Sequence, residues 1–234
     1  MRINKFLAEQ GVASRRESDK LVQEGRVLLN GKRANPGDDV SAGDTVTLDG
    51  KTLSHKVKYE YYMLNKPKGC VSTVSDDKGR KTVMDFLPAN AGRVFPVGRL
   101  DYDTEGMLIL TNDGDLAYRL TSPKSEIPKT YLVRVEGVVS ATQLNRIRAG
   151  VEIEKGVVTK KCKVTVTETN KNYTKMQVVL TEGKNREIRK MFEVVGKNVD
   201  FIKRTKIGDL TLSGLDRGTV RRLSQEEIFY LKNL

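Results

Sequence analysis

Three carboxylates stand in one short acidic loop, at Asp101, Asp103 and Glu105, and a glycine lies on each side of them. A carboxylate is ionised at neutral pH, so it can act as a nucleophile or accept a proton. Oxygen ligands at alternating positions also suit Mg²⁺ or Ca²⁺, and a short acidic stretch can equally be a solvated turn. These residues alone leave three interpretations open: a reactive carboxylate, a divalent-metal site and a solvated turn.

The segments around the acidic loop favour a fixed position for it. Gly98 and Gly106 let the backbone depart from strand geometry, so that Asp101 can lie at a loop tip that faces a cleft. The apolar residues 107–110 predict a buried strand that would hold the loop on a rigid base.

Composition points to a polyanionic partner. The chain has 234 residues, enough for two unequal domains, and a formal net charge of +12. This charge favours nucleic acid or an anionic membrane surface as a partner. No apolar run approaches the length of a transmembrane helix, and residues 1–5 lack the apolar segment of a signal peptide. We therefore expect a cytoplasmic protein that does not bind a membrane.

Cysteine and histidine chemistry is not indicated. Cys70 and Cys162 are far apart in sequence and show no CxxC spacing, which argues against a zinc site and against a disulfide framework. The one histidine, His55, has no evident partner for nucleophilic catalysis. We therefore expect neither triad chemistry nor a histidine-based metal site.

Residues 1 to about 58 are predicted to form a separate small domain of two helices and a small sheet. Ser14 and Glu17 have the spacing of a capping box that opens the second helix, which should end at Gly25. Asn30-Gly31 is typical of a tight hairpin turn, and residues 45–48 supply another strand.

Positive charge is concentrated at the start of this domain. Residues 1–33 carry eight basic and four acidic side chains, whereas residues 34–50 carry four acidic and no basic ones. This segregation favours a surface that contacts phosphates, and a merely solvated charged face is the alternative. The expected contacts are Arg2, Lys5, Arg15, Arg16, Lys20, Arg26 and Lys32.

Residues 59–234 are predicted to form a larger α+β domain. No long helix separates successive strands, so a mixed, largely antiparallel sheet with flanking helices is favoured over a doubly wound fold. A basic helix at residues 182–192 would turn Ile188, Met191 and Phe192 inward. Strands are predicted at residues 60–64, 70–73, 107–110, 129–135, 163–167 and 175–180, and further helices at 82–87, 116–120, 141–149 and after Ser224.

The run Gly-Arg-Leu-Asp-Tyr-Asp-Thr-Glu-Gly at residues 98–106 resembles the signature of the RNA pseudouridine synthases, in the branch that modifies bacterial ribosomal RNA. Asp101 stands where that family has its one invariant aspartate. Residues 129–131, Lys-Thr-Tyr, resemble the motif whose tyrosine, here Tyr131, lies against the target base.

A third motif completes the resemblance. Residues 185–189 are similar to the family motif whose basic residue, here Arg189, pairs with the aspartate; the family often has His-Gln where this chain has Arg186-Glu187. The resemblance implies that Asp101, Tyr131 and Arg189 are the catalytic trio. Arg99 would bind a phosphate beside the flipped base or fill the space that the base leaves.

The resemblance extends over essentially the full chain. Residues 4–31 look like an S4 RNA-binding domain, and residues 65–69 are again similar to the synthases. Together with residues 97–106 they favour the large-subunit enzymes of this branch, while a small-subunit target is the alternative. The implied partner is ribosomal RNA or a ribosome assembly intermediate, bound by a monomer.

The implied reaction isomerises a uridine within RNA and needs no cofactor. Whether Asp101 attacks the ribose C1′, attacks the base C6 or removes a proton stays open. Two rival functions are a non-catalytic ribosomal RNA-binding or assembly factor, and a metal-dependent enzyme that uses the acidic loop. Retention of Asp101, Tyr131 and Arg189 argues against the first, and the absence of a matching metal motif argues against the second.

Overall fold

The computed structural model describes residues 1–212 and 214–234. These residues form two compact units: one comprises residues 1–60, 90–94 and 112–114, and the other comprises the remaining described residues. None of the described helices is both long enough and apolar enough to cross a membrane. The domain boundary near residue 58 stays a prediction.

The first unit consists of two helices and an antiparallel sheet, as the sequence predicts. Ile3, Phe6 and Leu7 are buried on one side of the first helix. The capping box is present, since Ser14 N donates to Glu17 Oε2 at 2.9 Å and Glu17 N donates to Ser14 Oγ at 3.3 Å. The elements are α1 (Ile3–Glu9), α2 (Arg15–Gln23), β1 (Val27–Leu29), β2 (Lys32–Arg33), β3 (Val46–Leu48) and β4 (Lys51–Thr52), with sheet order β2-β1-β3-β4.

The second unit contains eleven strands, four α-helices and two short 3₁₀ helices, Val83–Phe86 and Pro123–Ser125, among its described residues. The strands are β5 (Tyr61–Lys66), β6 (Phe95–Pro96), β7 (Glu105–Thr111), β8 (Lys129–Glu136), β9 (Glu152–Glu154), β10 (Val157–Val158), β11 (Lys163–Thr169), β12 (Tyr173–Leu180), β13 (Val199–Ile207), β14 (Leu210–Thr211) and β15 (Val220–Arg222). The helices are α3 (Gly114–Thr121), α4 (Ala141–Ala149), α5 (Glu187–Glu193) and α6 (Gln225–Lys232).

Nine of these strands form one mixed sheet with the path β11-β12-β8-β13-β7-β5-β15. All of its described pairings are antiparallel except that of β13 with β7. Every residue of β7 is buried, which confirms the predicted buried strand after the acidic loop. The α+β fold with a mixed, largely antiparallel sheet is therefore confirmed.

Two predicted elements are wrong. Residues 70–73 are not a strand: β5 pairs with β7 and β15, so neither of its edges is free, and Val71 makes only an isolated bridge with Thr82. The helix predicted over residues 182–192 begins only at Glu187, because the preceding Arg186 has a left-handed backbone with φ 51°.

Candidate active site

A fully buried lysine holds the backbone of the acidic loop. Lys66 is the last residue of β5 and has no exposed surface. Its Nζ donates to the carbonyl oxygens of Asp101 at 2.9 Å, Thr104 at 3.0 Å and Pro67 at 3.2 Å. Burial lowers the pKa of this lysine, and nearby negative groups, including the loop carboxylates, oppose the shift. Lys66 therefore fixes the chain at Asp101 from within the domain.

Two further contacts join the acidic loop to the turn that follows β5. Gly69 N donates to the carbonyl oxygen of Tyr102 at 2.9 Å. Ser72 Oγ donates to Leu100 O at 2.8 Å and accepts from Leu100 N at 3.1 Å. Sequence reasoning assigned no role to Lys66 or Ser72; the available signal was a lysine at the end of a strand that begins Tyr-Tyr-Met-Leu.

The four residues predicted to be catalytic line one cleft of about 380 Å³. Asp101 and Arg99 come from the acidic loop, Tyr131 from β8 and Arg189 from α5. Asp101 is half-buried and Arg99 is exposed. Within the described part of the chain, the Asp101 carboxylate forms no ion pair and accepts no hydrogen bond. It is thus available to a bound molecule.

Arg189 has a different carboxylate partner from the one that the resemblance implies. Its Nη2 lies 2.8 Å from Asp103 Oδ2, and its Nη1 donates to the carbonyl oxygen of Val199 at 2.7 Å. Arg186 Nη1 lies 3.5 Å from the other oxygen of Asp103. The expected pair of Arg189 with Asp101 is therefore corrected, because Val199 and Asp103 together direct the guanidinium to the second aspartate of the loop.

Tyr131 lies in the middle of three paired strands. Its Cα stands opposite Val178 of β12 and Arg204 of β13. The side chain is half-buried, packs against the apolar cluster that contains Val133 and Val178, and lines the cleft. The ring is therefore both supported by the core and accessible to a molecule in the cleft.

Two more carboxyl groups, Glu182 and Glu187, line the same cleft. Burial, followed by a hydrogen bond with Glu182, raises the pKa of Glu187 to about 7. Burial alone would raise the pKa of Glu182, but hydrogen bonds with Glu187 and Lys184 bring it below its usual value. The pair therefore shares one proton below neutral pH. With that proton Glu187 is neutral, like the glutamine that the family often has at this position.

The other two carboxylates of the acidic loop are occupied. Asp103 pairs with Arg189, and the buried Glu105 lies 3.5 Å from Arg217. Across residues 1–212 and 214–234, no group of three or more His, Cys, Asp or Glu side chains is arranged to hold a metal ion. The divalent-metal interpretation of this loop thus lacks an assembled ligand set among those residues.

The seven basic residues predicted to contact RNA fall into two sets. Three have an acidic partner: Arg2 with Asp39, Lys5 with Glu9, and Arg26 with Asp49. Asp39 and Asp49 belong to the acidic residues 34–50, so the charge segregation seen along the sequence is incomplete in space. The other four are exposed and form no ion pair with the residues that the structure describes: Arg15, Arg16, Lys20 and Lys32.

Comparison with known families gives two matches. The family model described as RNA pseudouridylate synthase matches residues 60–194, and the S4 domain model matches residues 1–46. The first match includes the acidic loop, Tyr131 and Arg189.

Similar proteins and one similar solved structure span the whole chain. Ribosomal large subunit pseudouridine synthase B of Bacillus subtilis is 39% identical over 235 residues, which cover 100% of this chain and 96% of that protein. Dual-specificity RNA pseudouridine synthase RluF of Escherichia coli K12 is 39% identical over 100% of this chain and 79% of that protein. A crystal structure of a pseudouridylate synthase is 31% identical, has a TM-score of 0.71 and covers 99% of both chains. The chain therefore belongs to the RNA pseudouridine synthases and carries an S4 domain at its N-terminus.

Proposed function

We propose that this enzyme isomerises a uridine of large-subunit 23S ribosomal RNA to pseudouridine, with Asp101 as the catalytic nucleophile. The observation that carries the proposal is the carboxylate of Asp101, which forms no ion pair and accepts no hydrogen bond among the described residues, in a cleft that also holds Tyr131 and Arg189. The RNA target is supported by the Bacillus subtilis relative, whose name specifies the large ribosomal subunit and whose similarity spans the full chain.

The reaction breaks the bond from ribose C1′ to base N1, turns the uracil and joins C1′ to C5. The base N1 gains a proton and C5 loses one, so no oxidant, reductant or group donor is consumed. Asp101 supplies the reactive carboxylate, and the hydrogen bond from Lys66 to its carbonyl oxygen fixes its backbone. Because the side chain has no competing partner among the described residues, none has to be displaced before it reacts.

The uridine has to leave the RNA stack to reach this carboxylate, which costs a few kcal/mol. Tyr131 offers an aromatic face in the cleft, and such stacking is worth about 1 to 3 kcal/mol per base. We propose that Tyr131 holds the flipped uracil and that Arg99, which is exposed at the cleft, contacts a neighbouring phosphate or fills the vacated space.

Arg189 contributes through the acidic loop. Its ion pair with Asp103 and its hydrogen bond to Val199 O join α5 to the segment that carries Asp101. We propose that this pair holds the loop in place while RNA binds and water leaves the cleft.

The N-terminal unit is proposed to hold the RNA by its phosphates. The exposed cations that form no ion pair with a described residue carry this proposal: Arg15, Arg16, Lys20 and Lys32. Arg2, Lys5 and Arg26 would add to it only if RNA displaces their acidic partners.

A map of pseudouridines tests the target. Ribosomal RNA from cells with and without the gene would be treated with a reagent that marks pseudouridine and stops reverse transcriptase. The proposal expects a single stop to disappear from 23S rRNA and to return with the wild-type gene but not with Asp101→Asn. Loss of a 16S stop would instead assign the alternative small-subunit target, and an unchanged map would contradict the proposed ribosomal target.

A further inference from the structure

Lys129 is a cation that the proposed reaction does not use. It is the first residue of β8, is half-buried and lines the cleft together with Asp101 and Tyr131. Its ammonium forms neither a hydrogen bond nor an ion pair with any residue that the structure describes. A partly buried ammonium without a partner is unfavourable, so its presence calls for a group that arrives with the substrate.

Arg204 is a second such cation in the same cleft. It lies on β13 opposite Tyr131, and only 6% of its surface is exposed. Its Nε donates to the carbonyl oxygen of Met107 at 2.8 Å, whereas its Nη2 is buried without a hydrogen-bond partner in the structure. No carboxylate among the described residues forms an ion pair with it. The guanidinium is therefore held by a hydrogen bond at Nε, whereas no described group pairs with it at Nη2.

The two cations influence each other. Burial, followed by the positive charge of Arg204, lowers the pKa of Lys129 to about 8. The nearby carboxyl groups do not relieve this repulsion: Asp101 pairs with neither cation, and Glu182 is engaged by Lys184 and Glu187. The cleft thus holds two adjacent positive charges and lacks a matching anion among the described residues.

We propose that Lys129 and Arg204 form a binding subsite for a phosphodiester group of the RNA strand beside the target uridine. The inference rests on the proposed function, because a nucleotide that enters the cleft brings a phosphate on each side of its ribose. A phosphodiester carries a negative charge that would compensate the positive charges of both side chains. A uracil carbonyl is neutral and would leave their repulsion in place, so the phosphate is the favoured ligand.

Salt dependence distinguishes the two ligands. The RNA would be the full ribosomal transcript that the wild-type enzyme modifies. Its binding would be measured between 50 and 300 mM KCl with Asp101→Asn protein, so that the RNA is not converted during the titration. Adding Lys129→Gln should weaken binding and lower the slope of log affinity against log salt by about 0.7 to 0.9, the value for one phosphate contact. Lys129→Arg should restore the slope, because it keeps the charge.

Lys171→Gln is the matched control, since it removes one positive charge at the exposed turn between β11 and β12. It should leave the slope unchanged, and thermal unfolding of each variant shows whether the fold is intact. An unchanged slope for the folded protein that carries both Asp101→Asn and Lys129→Gln overturns the inference. If Lys129→Gln alone, with Asp101 present, then also loses turnover, Lys129 is assigned to the base instead. Failure of the proposed function has a different signature: the wild-type enzyme would form no pseudouridine in either ribosomal transcript.

Discussion

Arg189 and Asp103 form an ion pair of 2.8 Å beside the cleft, and only 14% of the arginine side chain is exposed. The pair connects α5 with the loop that carries Asp101. We therefore expect Asp103 to position the loop, although it stands two places away from the proposed nucleophile.

Asp103→Asn tests this role. The change removes the charge that holds Arg189 and keeps the shape, so we expect kcat to fall about 10- to 100-fold through a small displacement of the loop. Thermal unfolding should change little, because 42% of the Asp103 side chain is exposed. Asp103→Glu keeps the charge and should recover part of the rate. Wild-type kcat in the Asn variant would show that Arg189 needs no anionic partner.

The pH dependence of stability follows from Glu187. Its pKa is about 7 in the folded protein, above its ordinary value of 4.5, so the folded state binds a proton that the unfolded state has lost between these values. The contribution of Glu187 to the free energy of unfolding is therefore largest below about pH 4.5 and is lost as the pH rises through about 7.

Urea unfolding of the wild type and Glu187→Gln at pH 5, 6, 7 and 8 measures this contribution. We expect the free energy of unfolding of Glu187→Gln to rise relative to that of the wild type as the pH rises, because the glutamine is neutral throughout. Glu193→Gln, on the exposed side of the same helix, should give a pH curve parallel to that of the wild type. A parallel curve for Glu187→Gln would mean that the buried carboxyl does not titrate in this range.

Gly106 of β7 is paired with Arg204 of β13. It has φ 106°, and a Cβ atom there would overlap the backbone of Arg204, with the nitrogen only 2.6 Å away. Gly106→Ala should therefore destabilise the domain by about 3 kcal/mol or more, through steric overlap and backbone strain together. Gly114→Ala is the control, because a Cβ at that position meets nothing within 4 Å and its φ is not positive. Equal thermal stability of the two variants would contradict this description of the strand contact.

The RNA-binding role of the S4 domain can be separated from catalysis. Arg15 and Arg16 are exposed at the start of α2, where glutamates are compatible with the helix. Arg15→Glu with Arg16→Glu should weaken RNA binding and lower its salt slope by about 0.7 to 0.9 for each lost phosphate contact. The rate at saturating RNA should change little. Lys51→Glu with Lys56→Glu makes the same charge change elsewhere on the unit; an equal effect of both pairs would show that the contacts are not specific to α2.

Local signals predicted the parts of this fold that depend on neighbouring residues. The capping box at Ser14, the hairpin turn at Asn30-Gly31 and the buried strand β7 follow from spacing and backbone preference alone. The acidic loop could also be found, because three carboxylates between glycines are unusual beside so apolar a strand.

Features that depend on distant contacts could not be predicted. The sequence did not predict β13, because charged residues such as Arg204 interrupt its apolar pattern. Arg204 can lie in this strand because its guanidinium donates to Met107 O and lines the cleft. The burial of Lys66 could not be predicted either, because its three carbonyl partners, two of them in the acidic loop, come together only in the folded chain. The partner of Arg189 depends on the direction given by Val199, which no sequence pattern encodes.

The central claim is that the Asp101 carboxylate performs the chemistry, and Asp101→Asn tests it most directly because the change removes the reactive charge without altering the shape. Pseudouridine formed per enzyme would be measured on a ribosomal RNA transcript beside the affinity of the same preparation for that RNA. We predict that the variant forms no detectable pseudouridine while it binds RNA within about twofold of the wild type. Appreciable turnover by a folded Asp101→Asn enzyme would contradict the assignment of the nucleophile.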